Sequence, residues 1–170
     1  MTNNILNNLI LINPILNSKI RVDEEGDGHF GTRRANGKRH HQGIDIIATP
    51  NTPVIAPISG IIKHIGTPYE NSTNILHTLW IEGAEEYHEL CVKIFYIAPC
   101  VKIGNTIKQN QIIGHAENVA LFHNMPKMQN HIHLEILINN LALLDTLKPT
   151  SLKPLHLNDH LNPQIFLNLK

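Results

Sequence analysis

The sequence predicts a mainly β fold, with antiparallel β-sheets around a groove and little helix. Three observations carry this. Short β-branched runs recur through the centre of the chain, each closed by Gly, Pro or Asn, as antiparallel strands require. Amphipathic spacing of three and four residues is almost absent, which leaves few candidates for helices. At 170 residues, 42% of them hydrophobic, the chain can bury the core of one ordinary domain.

The strands follow in order. The run 44–47 comes first, and 54–56 and 60–65 flank a turn marked by Ala56-Pro57. Strands at 75–81, 91–97 and 111–114 follow, separated by turn residues. The run 131–138 is the clearest, because Ile132, Leu134, Ile136 and Ile138 alternate with His131, His133 and Glu135. Successive side chains of a strand point to opposite faces, so the isoleucine face belongs to a core and the imidazoles to a cleft. Loops are expected at 66–74 and 116–130. The second runs straight into His131 and is expected to form one wall of the cleft, since a loop of that length in a small domain usually has a function. A turn or two of helix is expected at 142–147, ended by Pro149.

Charge narrows the function. The formal net charge is zero, with a pI near 7.2, so neither nucleic acid nor an anionic membrane surface is an expected partner. No segment approaches the ~20 apolar residues of a membrane span. The basic residues Arg33, Arg34, Lys38 and Arg39 cluster before His41. They read either as a solvated loop or as an attractor for an anionic polymer or a substrate carboxylate. Cys91 and Cys100 set no disulfide framework and are expected to be free thiols. The apolar stretch 5–16 is interrupted by Asn7, Asn8, Asn13 and Pro14, and no Lys or Arg precedes it. It makes a poor secretory signal, so synthesis in the cytoplasm is expected.

The chemistry lies in two short motifs. His41 and Asp45 are four residues apart and, on a strand, share one face. His131 and His133 share another. Together they supply three metal-type ligands and one spare histidine. Two histidines and a carboxylate, with a fourth position left to water, suit a catalytic zinc, and mixed nitrogen and oxygen donors favour zinc over calcium or magnesium. Of the 12 histidines, His64, His77, His88, His156 and His160 lack ligand spacing and read as surface or packed residues.

These motifs carry a family resemblance. His41-Gln42-Gly43-Ile44-Asp45-Ile46, Thr52-Pro53-Val54-Ile55-Ala56-Pro57 with Gly60, and His131-Ile132-His133-Leu134-Glu135 resemble the lysostaphin/LytM-type zinc endopeptidases. Phe30-Gly31-Thr32-Arg33 and the segment from Gly104 to Gly114 match in the same order. The resemblance spans residues 28–148, leaving 1–27 as an N-terminal extension and 149–170 as a C-terminal tail or strap. It implies zinc held by His41, Asp45 and His133, with His131 as a catalytic residue, in an enzyme that cuts peptide cross-links of bacterial peptidoglycan. Such an enzyme would act in the periplasm or cell wall after non-classical export, as an antibacterial effector or a phage lysin. It would act as a monomer, with an immunity or delivery protein as a further partner.

A narrower resemblance points elsewhere. Asp27-Gly28-His29-Phe30-Gly31 and Cys91-Val92-Lys93-Ile94-Phe95-Tyr96-Ile97 are similar to the leukocyte cell-derived chemotaxins, which keep the zinc site and are not regarded as working peptidases. The active enzymes carry a second non-ligand histidine two residues after a tyrosine, and Ala98 occupies the matching position. His115 and His123 are the candidates to replace it. Hydrolysis is therefore the preferred expectation, and a catalytically impaired, zinc-bearing binding module is the alternative.

Overall fold

The register of the strand His131–Ile138 organises the molecule. The protein is described from a computed structural model covering residues 9–69, 75–138, 156–157 and 160–167. Along one edge, His131–Ile138 pairs antiparallel with Leu90–Phe95, placing His133 opposite Phe95. Along its other edge it pairs first with Ile44–Ile47, placing His133 opposite Asp45, and then with His160–Leu161. One strand therefore aligns both halves of the chain. The large sheet continues from Leu90–Phe95 through Thr78–Gly83 and Gly60–Gly66 to Thr106–Ile107. A second, three-stranded sheet contains Ile97–Pro99, Ile112–Ala116 and Pro53–Ile55.

The alternation anticipated in His131–Ile138 is present. Ile132, Leu134 and Ile136 are fully buried, together with Ile44, Ile46, Ile62, Leu79, Ile81, Val92 and Ile94. Burying each such side chain contributes about 1.5–3 kcal/mol, so a one-residue slip of register would expose the apolar face. That cost holds His133 beside Asp45.

Three expectations are adjusted by the backbone. The run 91–97 is two strands, because Tyr96 has φ 65° and turns the chain from the large sheet into the small one. Its N–H donates to His77 O, and its carbonyl accepts from Glu117 N–H. The run 75–81 forms a strand only from Thr78. The loop 116–130 contains an α-turn at Val119–Phe122, capped by the Asn118 side chain, which accepts from Leu121 N–H. Among the described residues, other helix is confined to the 3₁₀ turns Ala35–Gly37, Glu85–Tyr87 and Pro163–Ile165. The expected helix at 142–147 lies outside the described residues.

Described segments toward both termini join this core. Leu11 and Ile15 are buried, as are Leu161 and Leu167, and Leu11 bridges Leu167 in a parallel pair. The segment around Arg21 covers the outer edge of Ile44–Ile47. Arg21 N–H donates to Asp45 O, Asp45 N–H donates to Gly28 O, and Gly28 N–H donates to Arg21 O. This brings the Arg21 guanidinium behind the Asp45 carboxylate at 3.2 Å, and both groups are buried.

Removing one partner of a buried pair leaves the other charge uncompensated, at a cost of about 3–5 kcal/mol. Arg21→Ala is expected to lower stability by about that amount. The urea midpoint should fall while the slope of the transition stays constant.

Candidate metal centre

Strand register delivers two of the donor residues, and a glycine turn delivers the third. Asp45 and His133 face each other across their strand pair. His41 lies ahead of the strand, which begins at Ile44, so it does not share a strand face with Asp45 as the spacing suggested. It is held instead by Thr32 and Gly31: His41 N–H donates to Thr32 O, and His41 O accepts from Gly31 N–H. The turn between His41 and Ile44 passes so close to the neighbouring strand that a Cβ at Gly43 would run into the Leu134 carbonyl and the His133 ring. No other residue type fits there.

The donor atoms converge. His41 Nε2 lies 3.0 Å from His133 Nδ1 and 3.2 Å from Asp45 Oδ1, while His133 Nδ1 lies 3.0 Å from the same oxygen. The outward-facing atoms are engaged elsewhere. His41 Nδ1 donates to His29 O at 3.0 Å. His133 Nε2 donates to Glu135 Oε1 at 3.1 Å, and Glu135 in turn faces His160 Nε2 at 3.3 Å. Asp45 Oδ2 accepts from Arg21 and Arg34. Such partners fix a ligand's tautomer and direction. Two imidazole nitrogens and one carboxylate oxygen are thus aimed at a single buried point.

Lone pairs so arranged require a positive charge between them. Without a metal, a proton meets that requirement. Burial alone would lower the pKa of His133, but hydrogen bonds to Asp45 and Glu135 outweigh it and raise the value to about 9. Burial would raise Asp45, yet its bonds to His133 and His41 hold it well below the usual carboxylate range. Glu135 is likewise held at about 2, against burial, by His133 and His160. Burial lowers His41, which stays neutral. A divalent cation ligated by His41, Asp45 and His133 would take the place of that proton, so the donor set fits a metal.

His131 borders the donors. Its ring is buried, its Nδ1 donates to Gln129 O at 2.8 Å, and its Nε2 lies 3.9 Å from Asp45 Oδ1. Burial lowers its pKa against the pull of Asp45, so its Nε2 lone pair is available at neutral pH. The donors open into a cavity of about 330 Å³ whose walls include Tyr69, Tyr96, His123, Met128 and Arg39. The loop 116–130 forms one wall, as expected.

Several residues fall where the sequence did not indicate. Ala98 and His115 oppose each other in the small sheet, and neither is among the described residues lining the metal cavity. Ala98 borders a neighbouring cavity with Leu76, Glu117 and Phe122. His123 does line the metal cavity, and so does Tyr96. The basic cluster divides: Arg34 supports Asp45, Arg39 stands at the cavity wall, and Arg33 and Lys38 are exposed. Arg21, Glu135 and His160 support the donors from positions with no ligand-like spacing. For Glu135 a signal existed, because period two already placed it on the His133 face.

The model of peptidase family M23 matches residues 39–144. Mouse leukocyte cell-derived chemotaxin-2 is 33% identical over 113 residues, covering 66% of this chain and 69% of that protein. Among solved structures, the catalytic domain of a point mutant of the prophage-encoded M23 protein EnpA from Enterococcus faecalis superposes with a TM-score of 0.52. It is 17% identical, over 86% of this chain and 88% of that one. Lysostaphin of Staphylococcus simulans gives a TM-score of 0.52 at 20% identity, over 81% of this chain and 58% of that one. These two structural likenesses establish the fold.

Zinc binding by the metal-free protein should release the proton held at His133. The proton is present below about pH 9, so zinc affinity should rise with pH, by at most about tenfold per unit, and level off above that value. Calorimetry in buffers of different ionisation enthalpy reads the proton release directly. His41→Ala and His133→Ala should each abolish stoichiometric zinc, whereas His40→Ala, at an exposed neighbour, should leave it unchanged.

Proposed function

The chain belongs to peptidase family M23, and from that premise we propose that it is a zinc-dependent endopeptidase acting on the peptide cross-links of bacterial peptidoglycan. The observation that carries the reading is the convergence of His41 Nε2, Asp45 Oδ1 and His133 Nδ1 beside a histidine whose own free nitrogen borders them. Zinc, once bound there, supplies a Lewis acid and a water activated at neutral pH.

The chain's own groups supply the rest. His131 keeps its Nδ1 proton on the Gln129 carbonyl, so its Nε2 can accept the proton of the attacking water and later release it to the leaving amine. Glu135 holds the His133 ring in place, and Arg21 with Arg34 turns Asp45 toward the donors. Arg39, exposed at the cavity wall, suits a carboxylate of the wall peptide.

Peptidoglycan lies outside the cytoplasm, so under this reading the protein acts in the periplasm or cell wall, with a delivery or immunity protein as a proposed partner. The second reading is a zinc-bearing binding module that recognises wall polymer without cutting it. Its support is the 33% identity to a leukocyte chemotaxin, together with Ala98 where the active enzymes have histidine.

His131→Ala separates the two. The variant should keep one zinc per chain and lose about 10²–10⁴ in the rate of wall-peptide hydrolysis. A wild-type protein that holds zinc, digests no purified wall fragment and still sediments with intact wall polymer would favour the binding module. Loss of zinc in His131→Ala would overturn the assignment of His131 as a base.

A further inference from the structure

Tyr96 occupies a strained corner for a side chain that the reaction outlined above has not used. Its φ of 65° is an outlier for a bulky residue, and such conformations persist where the surroundings enforce them, often at functional sites. The backbone is held on both sides by His77 and Glu117. The effect is to aim the phenol into the metal cavity rather than along either sheet. There the ring meets His131 edge-on, with centroids 5.5 Å apart at 89°. Its hydroxyl lies 2.8 Å from the hydroxyl of Tyr69, a residue of the facing loop that stacks on Phe122 and meets His123 edge-on.

Peptide hydrolysis needs a donor facing the carbonyl oxygen as it becomes tetrahedral and negative. The described cationic groups at the cavity offer little for this. Arg21 and Arg34 are engaged by Asp45, and Arg39, exposed at the cavity wall, is assigned to a substrate carboxylate. His123 is kept neutral, since burial lowers its pKa, and its ring packs against Phe122. The Tyr96 hydroxyl, bonded to that of Tyr69, is a neutral donor on a ring packed against His131. Burial, with the Asp45 carboxylate nearby, raises the pKa of Tyr96 far from neutrality, so its proton is retained at any working pH.

We propose that the Tyr96 hydroxyl, oriented by Tyr69, donates a hydrogen bond to the scissile carbonyl oxygen in the transition state and so fills the part left open by Ala98. When Tyr69 donates to Tyr96, the Tyr96 proton is free to point at the substrate, and the chain of two hydroxyls polarises along its length. No proton is transferred by Tyr96. The inference rests on the peptidase reading, but its test is separable from it.

The test is Tyr96→Phe, which keeps the ring and removes the donor. On wall peptides, kcat should fall about 10²-fold or more, with KM, zinc content and near-ultraviolet circular dichroism unchanged. A phosphinic pseudo-dipeptide, whose tetrahedral phosphinate replaces the amide, should bind Tyr96→Phe at least about tenfold more weakly than wild type, a loss of about 1.4 kcal/mol. Tyr69→Phe should show a smaller loss in the same direction, and Ala98→His should change neither measurement. Equal phosphinate affinity in wild type and Tyr96→Phe, or no binding to either, would overturn the proposal, as would an unchanged kcat. A wild type that leaves wall peptides intact yet binds the phosphinate through Tyr96 would refute the peptidase reading and leave the donor assignment standing.

Discussion

A single electrostatic constraint governs the centre of this protein: donor atoms of two histidines and a carboxylate face one another out of water and require a positive charge among them. A buried carboxylate and two directed nitrogen lone pairs are each unfavourable without a partner. Their surroundings remove every alternative partner. His29 O accepts a hydrogen bond from one ring and Glu135 from the other, while two guanidinium groups engage the outer oxygen of Asp45. What remains is a site whose donors suit a small cation, or in its absence a proton.

The fold answers that constraint with antiparallel pairing more than with loops. Asp45 and His133 are cross-strand neighbours, fixed by the same register that buries Ile44, Ile46, Ile132 and Leu134. The aromatic wall works differently. Tyr96 marks the point where the chain leaves one sheet for the other, so the shape of the cleft depends on how the two sheets meet. Donor geometry is rigid by construction, and wall geometry is set by the junction.

Much of this was legible in the residues, and the unreadable part has a physical reason. Period two in His131–Ile138 exposed the strand, its core face and its imidazole face at once, and those matched the structure. The spacing of His41 and Asp45 identified a donor pair but implied a continuous strand, because period alone does not register a turn that only Gly43 can make. The positive φ of Tyr96 left no signature either, since Tyr-Ile reads as an ordinary strand dipeptide. Ala98 drew attention by comparison of motifs, but the corner at Tyr96 carries it onto the other sheet. His160 and Arg21 were out of reach for a different reason. Each supports the donors through tertiary contact from a distant part of the chain, and local pattern carries no information about such partners.

The links from Arg21 and His160 reach beyond the site. His41 and His133 lie about ninety residues apart, and a cation shared between them acts as a removable crosslink closing that long loop. Arg21 attaches the N-terminal segment to Asp45, and His160 attaches the C-terminal segment to Glu135. A cation bound there would therefore favour the docking of both described terminal segments, since any ligand bound only by the folded form stabilises it by mass action. Loss of a bound cation would remove that crosslink and loosen what is tied to it, so the supply of the ion would bear on the lifetime of the protein as well as on its chemistry.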